Sequence, residues 1–184
     1  SVETTMKLKE TTVIVVDQYA SYLSQLCEIW SCLPYCELSV LVSSLKALAA
    51  IHQSHHWQAS GDPSYGDHLL YERLYGGVLA EIDSIAEKAV AFGGEDLVCP
   101  QKLAVQTMDF VSAVCSCNSN LVSAGGRLAA QSLEAEKHFS NLLGMVIESL
   151  KAKGQLTHGI SNLLEGVADA HETNCYLLGQ RTKG

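Results

Sequence analysis

Three of the chain's seven histidines, His55, His56 and His68, flank one short turn, and carboxylates follow at Glu72, Asp83 and Glu87. Imidazole and carboxylate side chains in such proportion are the donors of a transition-metal centre. The same residues could also form a solvated acidic stripe, which is what charges at helical spacing usually are. The two histidines nearest the carboxylates, His56 and His68, favour the metal.

Spacing sharpens the choice. On one helix, positions 72, 83 and 87 fall about 40°, 60° and 100° round from position 68, so all four share a face. His56, near the end of a preceding helix, can reach His68 across the turn. Positions 72 and 83 are about 16 Å apart along a helix axis, whereas a ligand sits about 2 Å from its metal. One chain therefore cannot bring His68 and Glu72 to the same ion as Asp83 and Glu87. Two antiparallel copies of the helix can, because the pairs 68/87 and 72/83 share the midpoint 77.5, next to the glycine pair Gly76 and Gly77. Glycine inside a helix costs about 1 kcal/mol against alanine, and close approach of two backbones supplies a reason for it. The arithmetic predicts two equivalent sites per dimer, each built from both subunits.

The elements that must position these residues read as helices nearly throughout. Tyr19, Tyr22, Leu23, Leu26, Cys27 and Trp30 repeat at helical spacing up to Pro34, and a second apolar stripe runs from Leu38 to Ala49 and on to His52 and His56. Gly61, Asp62 and Pro63 break the chain. The next helix is expected over Tyr65 to Phe92, closed by Gly93 and Gly94. Pro100 opens a shorter one to about Cys115, and two long ones follow, from about Ser119 to Lys153 and from about Thr157 to Gln180. The link between the second and third long helices is far longer than a helical hairpin needs. The fold class is therefore all-α: a ferritin-like four-helix bundle with a short helix in the crossover between the second and third long helices. Residues 1–36 are expected to form an N-terminal extension with an amphipathic helix, and residues 37–184 the bundle domain.

At this point a resemblance becomes specific. His56-Trp57, Gly61, Tyr65, His68, Glu72 and then Asp83 to Gly94 (DSIAEKAVAFGG) resemble the Dps family of mini-ferritins, and Ile160 to Leu178 resembles the family's closing segment more loosely. The resemblance implies a homododecameric shell assembled through two-fold dimers. It also implies oxidation of Fe(II) at the dimer interfaces, with hydrogen peroxide as oxidant, and storage of Fe(III) inside. It carries the ferroxidase and iron ligands over to His56, His68, Glu72, Asp83 and Glu87, and sets Trp57 beside them. Glu72 is one methylene longer than the aspartate common there. The donor types suit the chemistry: neutral imidazole binds Fe(II), and carboxylates favour Fe(III) and can bridge two irons. The other di-iron design in such bundles uses Glu-x-x-His in the interior, and no Glu-x-x-His occurs in this chain.

The remaining candidates are weaker. His52 shares a helix face with His56 but reads as a packed, hydrogen-bonded histidine, and His55 points away from that face. Tyr71 and Tyr75 read as packing residues. Cys115 and Cys117 read as ordinary thiols, like most of the seven cysteines, whose spacing matches no zinc module. Gly93 to Leu97 (GGEDL) lacks the strand that a phosphate loop follows. Where the family carries an acidic pore, the chain offers mainly His158 and Glu165.

Net charge is 12 − 20 = −8, which speaks against a nucleic-acid surface. Residues 1–36 carry Lys7 and Lys9 against Glu3, Glu10, Asp17 and Glu28, and the far end adds only Arg181 and Lys183. DNA binding is therefore expected to be weak or absent. No apolar run approaches a membrane span or a signal segment, so a cytoplasmic protein is expected. Two other functions remain as alternatives: a DNA-binding nucleoid protein, and a structural shell with a vestigial metal site.

Overall fold

The computed structural model describes residues 19–115 and 124–183, and every regular element among them is helical. In order they are α1 (19–28), α2 (Cys36–Gln58), α3 (Ser64–Gly93), α4 (Pro100–Val114), α5 (Ala124–Ala152) and α6 (His158–Thr182), with a 3-10 turn Glu95–Val98 before α4. The long helices α2, α3, α5 and α6 form the four-helix bundle, and α4 is the short helix of the crossover. The expected start of α5 at Ser119, and Cys117 with it, lie outside the described residues, as do residues 1–18.

Local chemistry sets the ends. Gly94, at φ 96°, closes α3, its N–H donating to the Val90 carbonyl at 3.0 Å, because glycine takes a left-handed conformation without strain. Pro100 opens α4, where its missing N–H costs nothing. The Thr157 hydroxyl caps α6 by accepting from the Ile160 N–H at 3.1 Å.

A helix of a simple bundle shows one face to water, but α2 is buried almost all round. Leu38, Val40, Leu41, Val42, Leu45, Ala47 and Leu48 all lie inside, and a helix apolar on every side must be covered on every side. α3, α5 and α4 pack on it. Leu23, Leu26, Cys27 and Trp30, from the region read as an extension, belong to the same core. Gln106 of α4 donates to the Leu26 carbonyl, and Tyr19 pairs with His138 of α5 at 2.9 Å.

The interior is not uniformly apolar. The main core gathers around α2, and a smaller cluster of Ala59, Tyr71, Leu74, Leu128, Ala129 and Leu178 fills one end of the bundle. Buried polar side chains lie between the two: His52 and His55 from α2, Ser132 and Glu136 from α5, and His171 from α6.

Candidate metal centre

α3 turns one apolar stripe inward, with Tyr71, Leu74, Val78, Ile85 and Ala89 buried, and this leaves the opposite stripe in water. Glu72, Gly76, Asp83 and Glu87 are exposed along that outer stripe. So are Tyr65 (76%), Leu69 (49%), Leu79 (56%) and Val90 (37%). All eight positions fall within about 80° of the helix circumference. Trp57, 69% exposed beside His56, adds a further large apolar surface. Large exposed apolar side chains gathered on one helix face mark a candidate interaction face. A Cβ added at Gly76 or Gly77 would meet nothing within 4 Å, so nothing among the described residues of this subunit calls for glycine at either position. The two differ in outlook: Gly76 sits in the exposed stripe, whereas Gly77 borders a cleft shared with Arg73, Glu81 and Asn174.

The turn brings His56 and His68 together. Their rings meet edge to face with centroids 4.6 Å apart, and the two Nδ1 atoms are 3.3 Å apart. His56 Nδ1 also lies 3.0 Å from the His68 carbonyl oxygen. A carbonyl only accepts, so His56 carries its proton on Nδ1 and keeps the Nε2 lone pair free for a metal. Tyr75 packs on the same ring at 5.6 Å. Among the described residues, no third donor of the same chain completes a ligand set with these two. Among the described residues, the group of three possible ligands whose ligating atoms lie mutually within 4.8 Å is elsewhere, at Cys27, Cys36 and Glu37.

His52 is packed and hydrogen-bonded, as expected. Its Nε2 lies 2.8 Å from Glu136 Oε1 and its Nδ1 3.0 Å from the Ser132 hydroxyl, which also meets His55 Nδ1 at 2.6 Å. On the far side of Glu136, His171 Nδ1 contacts Oε2, and His171 Nε2 reaches Glu81 at 2.9 Å. One assignment of protons satisfies the chain: His55 donates to Ser132, Ser132 to His52, and His52 to Glu136, while His171 donates to Glu136 and Glu81. Burial opposes a charge on His171, but the two carboxylates outweigh it and push its pKa up to about 9. Burial likewise opposes a charge on Glu136, and its hydrogen bonds from His171 and His52 hold it down to about 2. Burial, with His52 nearby, lowers His55 to about 4, so it stays neutral.

Sequence reasoning missed Glu81, Glu136 and His171 as partners. The available signal was register: Glu136 stands in an apolar row with Ala129, Phe139 and Leu143, and His171 in one with Leu164, Val167 and Leu178. A titratable side chain at a core position must find a partner there. The interior of the bundle thus holds an ion-pair network whose donors are already satisfied by one another.

No family model and no curated protein matches the chain. Solved structures do. DpsC from Streptomyces coelicolor is 21% identical, with a TM-score of 0.66 over 79% of this chain and 81% of that one. Dps from Thermosynechococcus elongatus is 16% identical, with a TM-score of 0.67 over 88% and 92%. An archaeal Dps homologue from Halobacterium salinarum is 16% identical, with a TM-score of 0.65 over 87% and 80%. The backbone match extends over most of this chain and of each of these proteins, so the chain has the ferritin-like fold of the Dps proteins.

Proposed function

We propose that this protein is an iron-oxidising and iron-storing mini-ferritin, a ferroxidase whose substrate Fe(II) binds between two subunits. The observation that carries the reading is the pairing of His56 and His68 at the end of an exposed stripe that also presents Glu72, Asp83 and Glu87. Two antiparallel copies of α3 crossing at about position 77.5, beside Gly76 and Gly77, would set His68 opposite Glu87 of the partner subunit, and Glu72 opposite Asp83 of the partner subunit. Tyr65, Leu69, Leu79 and Val90 would supply the apolar contact. In such a site His56 Nε2 and the His68 imidazole receive Fe(II). The carboxylates of both subunits hold the Fe(III) product, which they prefer on grounds of charge and hardness. Peroxide is the oxidant that the family resemblance implies, and protection against oxidative damage follows from consuming Fe(II) and peroxide together.

The dimers would assemble into a homododecameric shell that encloses the oxidised iron, in the cytoplasm. Among the described residues no helix is long and apolar enough to cross a membrane. The test is native mass spectrometry of the full chain after anaerobic loading with Fe(II) and addition of peroxide. The expected result is a dodecamer that retains many iron atoms per particle. A monomer, or a particle that retains none, overturns the reading.

A further inference from the structure

The loop between α1 and α2 sets Cys27 against Cys36 and Glu37. All three are buried, and one ligating atom of each lies within 4.8 Å of the others. The two oxygens of Glu37 have different surroundings. Oε1 accepts from the Ser149 hydroxyl at 2.6 Å and from the Lys153 ammonium, both on α5. Oε2 faces the thiols and accepts from Cys36 Sγ at 3.6 Å. A cleft of about 330 Å³ opens beside the group, with Cys32 and Met145 in its wall. The chain joining the two cysteines holds Ser31, Cys32 and Tyr35 at φ 55°, 50° and 64°, a left-handed conformation that side chains disfavour. Simple packing would account for two buried thiols. It does not account for a carboxylate fixed by one oxygen with the other turned toward them, at the foot of a strained loop.

We infer that Cys27, Cys36 and Glu37 form a binding site for a thiophilic divalent cation, zinc, distinct from the iron site on α3. Two thiolates and a carboxylate are three of the four ligands of a tetrahedral zinc, and the fourth position faces the cleft. Sulfurs about 2.3 Å from such an ion lie roughly 3.8 Å apart, within the spacing observed. Charge balances: two thiolates and Glu37 carry −3, against +2 from the ion and +1 from Lys153. Each thiol gives up its proton on binding, so two protons leave for every ion that enters. Ser149 and Lys153 act as positioning residues that orient the carboxylate. The carboxylate favours Zn(II) over Cu(I), which prefers an all-sulfur site. Bound there, the ion ties α1 to α2 and holds the strained loop in place.

The test is cobalt(II) titration of the full-length, metal-free, reduced protein. One equivalent per chain should produce the near-ultraviolet thiolate-to-cobalt absorption, which no histidine–carboxylate site can give. Zinc should then abolish it and raise the melting temperature by about 5 °C. The Cys27→Ser/Cys36→Ser variant should lose the absorption with its far-ultraviolet dichroism intact, while Cys99→Ser keeps it. The inference is overturned if the parent protein shows no thiolate absorption, if zinc leaves the absorption in place, or if the double variant retains it.

Discussion

His55, His56 and His68 flank one turn and have different surroundings. His55 is buried against Ser132 and Tyr71, while His56 and His68 face each other at the edge of the exposed stripe. Only the latter two can offer a lone pair to an ion from outside. Replacing His68 or Glu72 with alanine removes a donor without touching the core, so Fe(II) oxidation by peroxide should slow at least ~10-fold. Stopped-flow absorbance of the oxidised product measures this, and parent rates in both variants would sink the site assignment. The interior histidine makes a separate prediction. His171 is raised above its ordinary value of 6.5 to about 9, so its ion pairs stabilise the fold fully below pH 6.5. That contribution is lost as pH rises through 9. Glu136, held down to about 2, keeps its contribution above its ordinary value and loses it only in strong acid. Urea midpoints should therefore fall between pH 6.5 and 9 by the equivalent of roughly 2–3 kcal/mol. A flat profile across that window would remove the imidazolium between Glu136 and Glu81.

At the scale of the helices, α3 carries two kinds of glycine. Gly93 sits where α3 passes the loop before α2, and a Cβ there would lie 2.6 Å from the Pro34 carbonyl oxygen and 2.2 Å from Leu97. Backbone cannot yield as a side-chain tip can, so Gly93→Ala should destabilise the fold by about 1–3 kcal/mol, read as a lower urea midpoint. Gly76 has open space around it within its own subunit, so a larger residue there should leave the isolated fold alone. Gly76→Leu should instead weaken the dimer, because it stands where two copies of α3 approach. Sedimentation velocity should show dissociation with unchanged far-ultraviolet dichroism. An intact assembly would place the two-fold contact elsewhere.

For the whole molecule, shared sites have a stoichiometric signature. A variant lacking His68 and Glu72 and another lacking Asp83 and Glu87 should each be inactive alone. Under random mixing half the dimers are mixed, and each of these gathers both defects into one site and leaves the other whole. Activity should then return to about a quarter of the parent value, measured on particles whose mixing is verified by mass. No recovery would mean a site within one chain. The acidic charge bears on the nucleoid-protein alternative. Arg181, one of the two cations at the far end, is already committed to Asp67 through contacts of 2.7 and 3.1 Å. A gel shift without divalent metal should show no tight retention of duplex DNA at moderate salt, and saturable retention would contradict this.

Periodicity and punctuation made the helices legible, because a 3.6-residue repeat, Gly94, Pro100 and Thr157 act through neighbours in the chain. The spacing of His68, Glu72, Asp83 and Glu87 was legible for the same reason, since one helix's geometry converts residue number into angle and distance. The meeting of His56 with His68 could be anticipated because a short turn joins their helices. The partners of Glu136, the covering of α2 by α1 and α4, and the gathering of Cys27, Cys36 and Glu37 beside Lys153 were not. Those contacts join residues up to 116 positions apart. They exist only where packing brings separate helices together, so tertiary structure alone decided them.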